Sequence, residues 1–349
     1  MKSAHQCKSV CKRWFSLISG PYFAHKYILF REPTYSLVFQ YIRSPNSRSS
    51  VIEVASTGPP FNSHGHFCFS FLEEFDRFAL EGSCNGLVLL SATYKNRELY
   101  IVSNPFTRQW VSLPEPPQYK PVYVGFVCKY YNIAEGLFSN FTQYKVVLIQ
   151  ASDVFEVSTD EFKINIFSSL GGDWSEISVH GASGFVWSCS RPLIACKNML
   201  VGYISDGFYT IGESEGRIRA FSRRLFSLPL SLCVWELEDF SNSAIWSLKH
   251  KINLSISDLI SKVPSIFAED MILGELVSVM AFCPIDGDVA YLWFRRCLLS
   301  CNIKTKTVEA VFLPKEKEET CYAADRCLPF FLPSWPTSIP GIKSEESCS

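Results

Sequence analysis

The apolar positions of the chain change period near residue 35. Before that point Ala4, Cys7, Val10, Cys11, Trp14, Leu17 and Ile18 keep the i, i+3, i+4, i+7 spacing of an amphipathic helix. Gly20 followed by Pro21 is a stop and then a residue suited to opening a second, short helix over residues 21–28. Such a pair carries too few apolar groups to be stable alone, so it requires a partner or a further segment. Beyond residue 35 the runs 35–41 (YSLVFQY), 98–102 (ELYIV), 144–150 (YKVVLIQ) and 163–167 (KINIF) are short and rich in β-branched and aromatic residues. Clusters of Gly, Pro, Asn or Ser bound them, which predicts strands. Residues 46–66, polar and rich in Gly and Pro, predict a loop; residues 315–319 (KEKEE) predict a solvated turn, and the last ten residues a frayed tail.

One strand–turn–strand unit recurs. Leu99 to Pro114 has Asn104-Pro105 opening the turn and Trp110 on the return strand, and Ile166 to Trp174 repeats it around Gly171-Gly172. Val234 to Trp246 repeats it with a longer loop, and Leu299 to Val308 is a weaker copy with Val in the aromatic place. Hairpins of this kind cannot bury both faces alone, so the copies must stack around a shared core. Radial stacking gives a β-propeller, with a β-sandwich as the rival. The copies lie 62 to 72 residues apart, longer than the ~40–50 residues of a regular blade. Either some blades lack the unit or they carry insertions, which leaves the blade number open.

Composition supports a packed β fold. Of 349 residues, 47% are hydrophobic and 19% charged, so a sizeable core can be buried. Aromatics reach 15%, with 28 Phe, 15 Tyr and 8 Trp, residues that favour pleated, half-buried surfaces. The formal net charge of −1 removes any electrostatic argument for a nucleic-acid or other polyanion partner. Fourteen scattered cysteines do not form a secreted disulfide framework, and the N-terminus lacks the apolar run of a secretory signal. The longest apolar stretch, 271–282, is interrupted by Glu275 and is far short of the ~20 residues that span a bilayer. These features predict a soluble protein, cytoplasmic and/or nuclear, with reduced thiols and no membrane partner. The sequons at Asn140 and Asn253 are read as coincidental.

Residues 8–23 (KSVCKRWFSLISGPYF) resemble the C-terminal half of an F-box. Residues 82–90 (GSCNGLVLL), Asn104-Pro105-Phe106-Thr107 with Trp110 and Leu113-Pro114, Phe167-Ser168-Ser169 with Trp174, Gly212-Glu213-Ser214, and 234–239 (VWELED) followed by 246–250 (WSLKH) resemble the F-box-associated domain of plant F-box proteins. The opening L-P-x-D/E-L-L segment of an F-box has no counterpart, since Met1 falls inside the motif. Between His180 and Gly212 the family's strand pair is shortened, which puts one blade in question. The resemblance implies a mainly β chain: a partial F-box over 1–30, an irregular, kelch-like β-propeller over 35–335, and a flexible tail over 336–349. It also implies a non-catalytic substrate-recognition subunit of an SCF-type ubiquitin ligase, docking on a Skp-type linker and through it on a cullin while the β domain holds an unidentified target. The alternative is a free-standing binding propeller, or a decoy that captures a target without ligase assembly.

The expected linker-binding face is Val10, Cys11, Trp14, Leu17 and Ile18, one apolar stripe with a large aromatic anchor. The competing reading packs this stripe internally against Phe23 and Ile28, and a transit peptide is a third. Target-binding residues are unassigned; Tyr130, Tyr131, Phe138 and Phe141 are loop-borne candidates. No catalytic residue, metal site or cofactor is expected: there is no G-x-S-x-G, phosphate-cradling Gly loop or H-E-x-x-H. His64 and His66 lack a well-spaced third ligand, and Cys7/Cys11 and Cys297/Cys301 have no second pair at zinc spacing. Residues 212–216 (GESEG) read as an acidic turn. Trp110, Trp174, Trp187, Trp235, Trp246 and Trp293 read as packing within and between blades.

Overall fold

The computed structural model describes residues 10–19, 23, 35–42, 50–56, 69–72, 75, 77–105, 107–117, 123–128, 143–150, 161–180, 194–196, 199–201, 210–223, 230–239, 245–265, 277–313, 323–331 and 339. Helix α1 (Lys12–Ser19) precedes two strands, β1 (Tyr35–Ile42) and β2 (Ser50–Ser56). Four sheets of four strands, each a simple antiparallel meander, make up most of the remainder. The first is β3 (Arg77–Cys84), β4 (Leu87–Tyr94), β5 (Arg97–Asn104) and β6 (Gln109–Ser112). The second is β7 (Tyr123–Cys128), β8 (Tyr144–Gln150), β9 (Glu161–Ser168) and β10 (Trp174–His180). A two-stranded ladder, β11 (Ile194–Cys196) with β12 (Met199–Val201), precedes the third, which is β13 (Thr210–Ser214), β14 (Arg217–Arg223), β15 (Leu230–Asp239) and β16 (Ile245–Leu254). Helix α2 (Ile256–Ile260) leads to the fourth: β17 (Ser278–Phe282), β18 (Val289–Phe294), β19 (Cys297–Asn302) and β20 (Val308–Phe312).

The last strand, β21 (Ala323–Phe331), joins β1 and β2 in a fifth, three-stranded sheet of order β2-β1-β21. The inner edge strand of each sheet lies beside the inner edge strand of the next: β3 against β7, β7 against β11, β11 against β13, β13 against β17, β17 against β21 and β21 against β3. That ring is a mainly β, five-bladed propeller with an extra two-stranded ladder in the circuit and few helical residues. Strands from opposite ends of the sequence form the closing blade, so its two ladders fasten the circle without a covalent link.

Four apolar cores fill four seams between neighbouring blades. Alternation along the strands assigns successive residues to opposite seams. In β18, Ala290, Leu292 and Phe294 enter the core shared with the third sheet. Tyr291 and Trp293, on the other face, enter the core shared with the closing blade. In β4, Leu87 and Leu89 face the second sheet, while Val88, Leu90 and Ala92 face the closing blade. A strand buried on both faces loses its polar alternation, which is why these segments read as apolar runs.

The four recurring sequence units are the outer hairpins of the four complete blades: β5–β6, β9–β10, β15–β16 and β19–β20. Insertions account for part of their wide spacing: the ladder β11–β12 falls between the second and third copies, and α2 falls between the third and fourth. One expectation fails: the loop predicted over 46–66 contains β2. Val51, Ile52 and Val54 supply a β-branched stretch, and pairing of Val38 with Val54 and Gln40 with Ile52 places it on β1. Among the described residues no helix is long and apolar enough to cross a membrane.

Candidate functional site

Helix α1 turns an apolar face to solvent. Trp14, Leu17 and Ile18 share a side through the i, i+3, i+4 relation, with Val10 and Cys11 one turn earlier. The Phe15 amide donates to the Cys11 carbonyl at 2.9 Å, which carries the first turn back to Cys11. Val10, Trp14 and Leu17 are 67%, 47% and 61% exposed, whereas Ile18 is buried. Cys11 is an exposed thiol. Phe15, which the helical spacing did not single out, adds an exposed ring at 56% on the flank of the stripe. Four of the twelve large exposed apolar side chains among the described residues therefore sit within eight consecutive positions. Of the expected second helix only Phe23 is described, helical and half-buried; residues 21, 22 and 24–28 lie outside the described set.

The seams between blades are held by a device that repeats. A Cβ on Gly82 of β3 would lie 2.6 Å from the Phe126 Cβ of β7, and one on Gly212 of β13 would lie 2.7 Å from the Phe282 ring of β17. Two residues further on, a polar side chain reaches the same neighbour: the Cys128 amide donates to the Cys84 Sγ at 3.3 Å, and the Ser214 hydroxyl donates to the Cys283 carbonyl at 2.6 Å. The Thr210 hydroxyl adds a bond to the Val279 carbonyl at 2.6 Å. These matched offsets show that the paired inner strands run parallel. Residues 82–86 and 212–216, both G-x-[C/S]-x-G, are thus equivalent inner-strand ends. Asn85-Gly86 and Glu215-Gly216 make the positive-φ two-residue turns that follow. The segment read as an acidic turn is a seam element, and its likeness to residues 82–86 was the available signal.

Two buried carboxylates are paired with arginines, one across the seam between two blades and one within a single blade. Glu81, on β3 at a register shift, accepts from Ser91 Oγ at 2.7 Å and pairs with Arg326 of the closing blade. Glu236 of β15 is 3% exposed and accepts from Arg217 and Arg219, the latter at 3.1 Å. Burial pushes its pKa up, but the hydrogen bonds from Arg217 and Arg219 outweigh burial and hold the carboxyl below its ordinary value. An acid with a depressed folded pKa contributes stability that is fully present above its unfolded value of about 4.3. That contribution is lost as pH falls through the folded pKa. Glu236→Gln is therefore expected to lower the melting temperature at pH 7 and to reduce the difference between pH 7 and pH 3. Thermal unfolding across that range measures it, and an unchanged pH slope would remove Glu236 from the acid response.

The remaining candidate chemistry is buried or undescribed. Among the described residues no three His, Cys, Asp or Glu side chains are placed to hold a metal ion. Cys297 and Cys301 point to the same face of β19 into one apolar core, and burial pushes the Cys301 thiol up to about 11. Burial and then the neighbouring Cys84 raise the Cys128 thiol well above its usual range. Trp174 donates from its indole to the Pro114 carbonyl at 2.9 Å, and Trp235 donates to Ser222 Oγ at 2.8 Å. Trp110 and Trp174 are half-buried against blade cores, Trp246 is half-buried and Trp293 is buried. Tyr130, Tyr131, Phe138, Phe141, His64, His66, Cys7 and Trp187 lie outside the described residues.

Residues 62–207 match the family described as F-box protein At3g26010-like, beta-propeller. Three relatives from Arabidopsis thaliana are similar over most of the chain. The putative F-box/kelch-repeat protein At1g15680 is 27% identical over 71% of this chain and 68% of its own. The F-box protein At3g26010 is 24% identical over 75% of this chain and 69% of its own. The F-box protein At5g03970 is 21% identical over 94% of this chain and 84% of its own. The chain thus resembles plant F-box proteins that carry a kelch-like β-propeller.

Proposed function

We propose that this chain, similar to propeller-bearing F-box proteins, is a substrate-recognition subunit of an SCF-type ubiquitin ligase. It acts in the cytoplasm and/or nucleus without catalytic residues of its own. Residues 1–30 serve as the adaptor, residues 35–335 as the target-holding domain and residues 336–349 as a tail. The observation that carries the reading is the exposed apolar face of α1. Large aromatic anchors surrounded by apolar neighbours are the groups that dominate interface energy, and Trp14 with Val10, Phe15 and Leu17 supplies that arrangement at the surface. Ile18, buried beneath the stripe, fixes the helix while the other side chains meet the Skp-type linker. The propeller behind it offers a rigid platform whose loops hold a target, and the linker brings both to a cullin.

Trp14→Ala is expected to weaken binding of a purified Skp-type linker by roughly 30-fold, the loss of an aromatic anchor worth about 2 kcal/mol. The melting temperature of the variant should stay within a degree or two of the parent, because Trp14 is half exposed. Titration calorimetry against the linker, with thermal unfolding alongside, measures both. Linker binding unaffected by Trp14→Ala would place the contact elsewhere. Absence of binding by the parent chain, with a target still captured, would select the free-standing binding propeller.

A further inference from the structure

Just beyond β6 the chain runs Leu113-Pro114-Glu115-Pro116-Pro117, in neither helix nor strand. Covalent chemistry restricts most of its torsions. Each proline fixes its own φ at about −65°, and a residue that precedes proline is held extended, which covers Leu113, Glu115 and Pro116. Burial along the segment has a period of three. Leu113 and Pro116 are buried, Pro114 and Pro117 are exposed, and so are Ser112 and Glu115. Three residues per turn is the period of a polyproline II helix. One edge of that helix therefore packs inward, a second presents two prolines, and the third presents a carboxylate. The inward edge is anchored: Leu113 lies in the core shared by the first two blades, and its amide donates to the Tyr100 carbonyl at 2.8 Å. The ψ of Pro114, which no following proline restricts, orients a carbonyl that Trp174 of β10 holds through its indole N–H at 2.9 Å.

We propose that the exposed Pro114/Pro117 edge is a docking site for a polyproline-reading partner domain, a groove lined by aromatic rings with a basic side chain at the rim that faces Glu115. At about 3.1 Å per residue the two prolines stand about 9 Å apart along the helix. That is the P-x-x-P arrangement that WW and SH3 domains read with adjacent aromatic-lined grooves. Neither proline has an amide hydrogen that docking would strip of water. Glu115, exposed on the next edge, sets the sign of the complementary charge, so the matching rim carries Lys or Arg rather than Asp or Glu. The blade holds the helix in place before any partner arrives, so docking orders little further chain, whereas a free peptide of the same sequence loses that freedom on binding. The site lies on the propeller and not on α1, so it stands or falls separately from the adaptor reading.

The test titrates the full chain with purified WW and SH3 domains chosen for a lysine or arginine at the groove rim, with calorimetry as the readout. Saturable binding by at least one of these domains is expected. Pro114→Ala combined with Pro117→Ala should weaken it at least ~10-fold, through loss of apolar ring contact at two grooves. Glu115→Lys should weaken it roughly threefold at low salt, the worth of an exposed ion pair, and less at high salt. All three side chains are exposed, so the variants should melt close to the parent. Pro117→Ala alone provides the comparison if the double variant does not melt cooperatively. No saturable binding by any domain of the set, binding that survives loss of the prolines, or affinity unmoved by Glu115→Lys at low salt would overturn the proposal.

Discussion

Arg326→Leu is expected to destabilise the propeller by about 3–5 kcal/mol, the cost of leaving a buried carboxylate without its partner. Glu81 is 7% exposed, and Arg326 reaches both its carboxylate and the Leu80 carbonyl across the seam between β21 and β3. Gln40 of β1 reinforces the junction by accepting the Leu80 amide at 2.7 Å. The contact lies where the ring closes, because β21 and β1 come from opposite ends of the sequence. Removing the cation leaves the charge of Glu81 with the Ser91 hydroxyl and little else in a largely apolar seam. For a domain of this size the loss corresponds to roughly 5–8 °C in melting temperature. Arg326→Leu combined with Glu81→Leu should recover most of it, since replacing both partners of a buried pair is often close to neutral. Calorimetric unfolding of the two variants decides the point. A single variant within ~0.5 kcal/mol of the parent would show that the pair does not fasten the ring.

Gly82→Ala and Gly212→Ala should each cost about 1–3 kcal/mol by overpacking, yet respond differently to rescue. At Gly82 the added methyl meets the Cβ of Phe126, an atom that every residue but glycine carries. Only a backbone shift of β3 away from β7 relieves that clash, so Phe126→Leu should restore nothing. At Gly212 the methyl meets the Cδ2 edge of Phe282. Phe282 also stacks on Phe221, with ring centroids 4.4 Å apart, which resists turning of the ring. Phe282→Leu removes that edge and should make Gly212→Ala nearly neutral in the double variant, although Phe282→Leu carries its own loss of packing. Double-mutant cycles on unfolding free energy measure both couplings. Equal rescue at the two seams would mean that the inner strands adjust by rotation, and that the glycines are not required by close approach.

Much of this architecture was legible because aromatic and β-branched residues bounded by turn chemistry leave a strong local mark. The four outer hairpins were readable from Asn104-Pro105 and Gly171-Gly172 turns and from the return-strand Trp110, Trp174 and Trp246. Residues 50–56 were hidden by their setting, because Gly, Pro and Ser flank a short β-branched run whose partner, β1, lies upstream. The turn at Arg295-Arg296 left no sequence signal: both arginines hold positive φ between β18 and β19, a conformation usually signalled by Gly or Asn. Pairing over six positions imposes it, and Arg295 lies over the Phe294 ring at 5.4 Å. The seam contacts were harder still. Arg326 with Glu81, and Gly212 with Phe282, join residues distant in the sequence, and only ring closure brings them together. For α1, helical spacing identified the stripe but not its sides: it grouped Ile18 with Trp14 and Leu17, whereas Ile18 is buried, and it omitted Phe15.

The adaptor reading rests on α1 offering its apolar face to a protein surface, and hydrogen–deuterium exchange with and without a purified Skp-type linker tests that directly. Burial of the face should slow exchange of the amides from Cys11 to Ser19 on linker addition and leave the inner strands β3, β7, β13 and β17 unchanged. Exchange that is unaltered across Cys11 to Ser19, or protection confined to the propeller, would contradict it.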